Sequence, residues 1–87
     1  MNNNKPDNSV PLKVSRILLE KYPDLSPAEL RICELLSLNM TSRAIAEKTS
    51  RSVRTIEYTR NNIRKKMKLT KADNLVSHLI QVSGKEI

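Results

Sequence analysis

Apolar residues recur along most of this chain at helical spacing, in blocks separated by short polar breaks. Leu12, Val14, Ile17, Leu18 and Leu19 suit an amphipathic helix from Leu12 to about Tyr22, which Pro23 stops. Ser26-Pro27-Ala28-Glu29 predicts a second start, with Ser26 as cap, Pro27 at the first helical position and Glu29 closing a capping box. Ile32, Cys33, Leu35 and Leu36 supply the buried stripe of that helix. Asn39 tolerates the left-handed conformation that ends a helix, and Met40 can fold back onto the last turn. Thr41 and Ser42 open a short helix holding Ile45 and Ala46. After the polar turn Thr49-Ser50-Arg51, Ser52 caps a longer helix to about Met67, with Ile56, Ile63 and Met67 facing inward. Thr70-x-x-Asp73 resembles another capping box, and Leu75, Val76, Leu79 and Ile80 carry a last helix until Gly84. The pattern predicts an all-α fold of four or five short helices.

Composition agrees with that pattern and narrows the chemistry. Eighty-seven residues make one small domain with a thin core. One Gly and four Pro argue against a turn-rich all-β design. Tyr22 and Tyr58 are the only aromatics, so Leu, Ile, Val, Met and Ala must fill the interior. The polar stretch 1–11, MNNNKPDNSVP, reads as a disordered tail. The lone Cys33 excludes an internal disulfide, suits a reducing cytoplasm and reads as a small buried hydrophobe. One His and one Cys cannot build a Cys/His zinc site. No apolar run approaches the roughly 20 residues of a membrane span, and the start has no signal-peptide pattern. His78 has no second ligand or nucleophile beside it in the pattern. We therefore expect no enzyme, no cofactor, no membrane and no small-molecule substrate.

Charge changes the picture most. Between Arg43 and Lys71 the chain holds ten basic and two acidic residues, a net +8, while the rest is net −1. The charge falls on a short helix, a tight polar turn and a longer basic helix, the order of a helix-turn-helix. A concentrated cationic surface of this kind is the footprint of nucleic-acid binding. If Ile56, Ile63 and Met67 face the core, Arg54, Glu57, Tyr58, Asn61 and Lys65 lie on the opposite side. Asn61 can pair bidentately with adenine, Glu57 can accept from cytosine, and Tyr58 can touch a thymine methyl or a phosphate. Arg54 joins these as a base-reading candidate. Arg43, Ser52, Thr55, Arg60, Arg64, Lys65 and Lys66 are the phosphate-binding candidates. Other readings stand beside these: Glu57 as an intrahelical partner of Arg54, Arg60 or Asn61, and Tyr58 as a packing residue.

From Leu25 to Val76, LSPAELRICELLSLNMTSRAIAEKTSRSVRTIEYTRNNIRKKMKLTKADNLV, the chain resembles the LuxR-type (GerE-like) helix-turn-helix domain of bacterial transcription regulators. The resemblance covers 52 of the 87 residues without a gap. It implies that residues 25–83 form the DNA-binding domain, with 12–22 an accessory helix. It implies that the helix from Ser52 to Met67 is the recognition helix. The position of Arg43 usually holds a phosphate-binding Lys or Arg, Lys65 and Lys66 fall on the family's basic pair, and base contacts are made at Glu57, Tyr58 and Asn61. The last helix often forms the dimer contact in the family, which points to Leu75, Val76 and Leu79 and to a homodimer on DNA. Four positions depart from the pattern. Glu57 stands where Lys is frequent, Thr49 and Arg51 stand where Leu and Ile are usual, and Asn39 replaces Gly.

The expected function is sequence-specific binding of double-stranded DNA in the major groove, regulating transcription. The expected chain is either a stand-alone small regulator or the DNA-binding domain of a longer one. Promoter binding together with RNA polymerase shares the same fold and groove. A rival of another class is a protein-interaction module that docks a partner regulator through its last helix, with weak or no DNA binding.

Overall fold

The structure is a computed structural model that describes residues 9–70 and 72–84, with side chains at 14–70 and 72–82. Five helices follow one another: α1 Ser9–Lys21, α2 Pro27–Ser37, α3 Ser42–Thr49, α4 Val53–Lys66 and α5 Leu75–Gly84. Among the described residues there is no strand. Helix α1 starts three residues before Leu12, where hydrophobic periodicity begins. Pro11 sits in its first turn, where a missing N–H breaks no intrahelical bond. Of the expected tail, residues 1–8 lie outside the described residues.

The helix boundaries follow local chemistry. The Ser26 hydroxyl accepts from the Glu29 N–H at 3.1 Å, and the Glu29 carboxylate accepts from the Ser26 N–H at 2.8 Å. That is the reciprocal capping box. Thr41 caps α3 through the Ala44 N–H, and Ser52 caps α4 through the Thr55 N–H. Helices α2, α3 and α4 all end in the same way. Asn39, Ser50 and Lys68 take left-handed φ values of 66°, 58° and 59°. The residue after each donates back across the last turn: Met40 to Leu35, Arg51 to Ala46 and Leu69 to Arg64.

Helix α2 is central and packs against each of the other four. Its buried face holds Ile32, Cys33, Leu35 and Leu36. Val14 and Leu18 enter from α1, Ile45 and Ala46 from α3, Ile56 and Ile63 from α4, and Leu75 and Leu79 from α5. Leu25 and Met67 close the gaps between helices. Leu19 turns outward instead of joining this core. Burial pushes the Cys33 thiol up to about 12, with the charges of Glu29 and Glu34 adding to the effect, so the thiol stays protonated. Tyr22 and His78 share a 2.8 Å hydrogen bond that ties the end of α1 to α5.

No helix among the described residues is long and apolar enough to cross a membrane.

Candidate nucleic-acid interface

Two elements build the site. Helix α3 is eight residues long and offers Ile45 and Ala46 as its buried contacts. The turn Ser50-Arg51-Ser52 reverses the chain, and α4 then runs 14 residues, about 21 Å at the helical rise. Because Ile56 and Ile63 are fully buried, the opposite side of α4 faces solvent. Arg54, Glu57, Tyr58, Asn61 and Lys65 are all exposed there, and Tyr58 retains 66% of its surface. Among the described residues, none of these five side chains makes a hydrogen bond or ion pair within the protein. The intrahelical partnership of Glu57 is absent from that set, and Tyr58 lies outside the buried core cluster.

The predicted phosphate set divides sharply. Arg43 and Lys65 are exposed, with no ion pair among the described residues. Ser52 and Thr55 bond one another: Ser52 Oγ takes the Thr55 N–H at 3.0 Å and donates to Thr55 Oγ1 at 2.9 Å. Three other cations of α4 are tied inside the protein. Arg60 Nη1 donates to Ser42 Oγ at 3.0 Å, joining α4 to the first turn of α3. Arg64 Nη1 donates to the carbonyls of Asp73 at 2.7 Å and Thr70 at 3.3 Å, bracing the loop before α5. Lys66 Nζ donates to the Glu29 carboxylate at 2.7 Å and to the Asp24 carbonyl at 3.0 Å. These three therefore brace α4 from three directions. They do not belong with Arg43 and Lys65 as free cations.

Glu29 is 8% exposed, a buried carboxylate. Burial pushes its pKa up, but the hydrogen bond from Lys66, the Ser26 N–H and the Lys66 charge outweigh it and hold the group below its ordinary value. Asp73 is likewise held low, by hydrogen bonds from the Thr70 N–H and hydroxyl.

The predicted dimer residues need correction. Leu75 and Leu79 are fully buried under α1 and α2 and have no surface to offer a partner. Val76 is half-buried. Sequence reasoning also missed Ser42 as the acceptor for Arg60, because the two residues stand 18 positions apart and neither type announces the pairing.

Residues 23–79 match the GerE family, described as bacterial regulatory proteins of the luxR family. The chain belongs to that family. Its members are DNA-binding transcription regulators. The matched stretch runs from Pro23 to Leu79, so α2, α3, α4 and the start of α5 make up the GerE domain, and α1 lies outside it. Comparison with curated proteins found no match, and comparison with solved structures found none either.

Proposed function

We propose that this GerE domain binds double-stranded DNA sequence-specifically, with α4 as the recognition helix in the major groove. The observation that carries the reading is the outward face of α4. A basic helix capped at Ser52 and backed by α3 keeps Arg54, Glu57, Tyr58 and Asn61 exposed and free of internal bonds. Side chains that satisfy nothing inside the protein are available for base edges. Arg43 and Lys65 flank this face as phosphate ligands, with the Ser52 and Thr55 hydroxyls at the helix start in reach of the backbone.

The interaction-module alternative is weaker on the same grounds. It needs an apolar face on the last helix; Leu75 and Leu79 are committed to the core and Val76 is half-buried, which leaves Ile80 as the exposed apolar residue there. The test is selection of bound duplexes from a random pool, followed by titration of the winner against a scrambled duplex at several salt concentrations. The reading requires an enriched motif and a preference of roughly a thousandfold or more over the scrambled duplex. Equal affinity for both would remove sequence-specific reading. No binding at low salt would remove DNA binding and favour the module.

A further inference from the structure

Arg60 lies in the middle of α4, on the flank between the reading face and α3, and is half-buried. Its guanidinium reaches the hydroxyl of Ser42, the first residue of α3. Among the described residues this is the only side-chain hydrogen bond between the two helices, and no carboxylate pairs with Arg60. Helix α3 is short and packs closely on α4 through its two buried residues, Ile45 and Ala46, both beyond its first turn, so the bond from Arg60 is what fixes the start of α3. A tie at one end of such a pair has leverage. A tilt of about 5° about that tie would carry either end of the 14-residue helix, about 10 Å away, by roughly 1 Å, enough to loosen a base contact.

We propose that Arg60 is a positioning residue that sets sequence selectivity by locking the start of α3 to the middle of α4 through Ser42, and is not a phosphate ligand. The bond joins the two parts of the site that meet DNA differently. Arg43, next to Ser42, anchors on the backbone, while Tyr58 and Asn61, on either side of Arg60, face the bases. Holding the anchor and the reading face at one distance is what turns a cationic surface into a selective one. The guanidinium suits the task because its planar fork is preorganised. The inference rests on the DNA-reading function proposed above.

Ser42→Ala isolates the effect, because it removes the acceptor and leaves every charge in place. The ratio of affinities for the selected and scrambled duplexes should fall about tenfold, with the salt slope unchanged. Ser42→Thr keeps a hydroxyl and should keep the ratio. Arg60→Met should reproduce the loss of Ser42→Ala, and the double variant should add little to either. Unchanged selectivity in Ser42→Ala, with Arg60→Met weakening both duplexes equally and lowering the salt slope by about one, would make Arg60 a phosphate ligand and overturn the inference alone. A parent domain that binds both duplexes alike would instead overturn the DNA-reading function, and the inference with it. Thermal melts of each variant separate the two helices' alignment from loss of fold: a Ser42→Ala domain that melts as the parent does, yet reads DNA less selectively, supports positioning.

Discussion

One carboxylate, Glu29, both closes the start of α2 and receives the ammonium of Lys66 from the end of α4. Its pKa sits below the ordinary 4.5, so the folded chain binds this proton less tightly than the unfolded one. The stabilisation is fully present above the ordinary value and is lost as pH falls through the folded value. Asp73 acts in the same direction. Urea midpoints should therefore fall as pH drops below the ordinary 4.5, and Glu29→Gln should flatten that decline while costing about 1 kcal/mol at pH 7. An equally steep decline in Glu29→Gln would place the acid sensitivity elsewhere. At the reading face, Glu57 has the opposite character: exposed, without an internal partner, and negative beside Arg54 and Lys65. A carboxylate in that setting repels phosphates unless a base amino group satisfies it. Glu57→Ala should change which base is preferred, with a loss of about 1–3 kcal/mol at the preferred one. Tighter binding to every duplex alike would reduce Glu57 to a repulsive surface charge.

At the level of elements, the three helix ends at Asn39, Ser50 and Lys68 share a geometry but differ in how well it is supported. Met40 and Leu69 follow two of them and pack against the core, whereas the third is followed by the exposed Arg51. The apolar contact that normally completes this closure is missing only there. Arg51→Ile should restore it against Ile45 and Ala46 and add about 1 kcal/mol of stability, and Ser50→Gly should add a similar amount by relieving the left-handed strain. Higher melting temperatures for both are the expected result, and a drop for Arg51→Ile would reveal a role for its side chain other than packing. This closure also marks where sequence reading ran out. Ser26 with Glu29, the Thr41 and Ser52 caps, and Asn39 were legible because those side chains act on backbone a few residues away. Ser50 and Lys68 were not, since neither type often adopts positive φ. Helical phase shows only that Arg60, Arg64 and Lys66 lie off the core, so it does not separate an internal tether from a DNA contact. Their partners stand up to 42 positions away. Leu75 and Leu79 failed for a related reason: an apolar pair on a last helix looks the same whether it faces a core or a partner chain.

For the whole molecule, the family boundary and the folding boundary do not coincide. The GerE match begins at Pro23, yet Val14 and Leu18 of α1 are buried against α2 and α5. Leu18→Ala should cost about 3 kcal/mol in denaturant unfolding, a large share of the stability of a domain this small. A near-parental midpoint would mean that the GerE domain holds its core without α1. The distribution of charge sets the last expectation. Of the cations on α3 and α4, Arg43 and Lys65 are exposed and unpaired among the described residues, while Lys66 is engaged by Glu29 and Asp24. Counterion release counts the charges that meet phosphates, not those on the helix. Arg43→Ala and Lys65→Ala should each weaken binding to all duplexes and lower the slope of log affinity against log salt by about one. Lys66→Ala should leave that slope nearly unchanged and lower the melting temperature instead, because it leaves the buried Glu29 carboxylate without its cation. If Lys66→Ala lowered the slope by as much as Lys65→Ala at an unchanged melting temperature, the Glu29 tether would not persist on DNA, and α4 would present one more charge to the backbone.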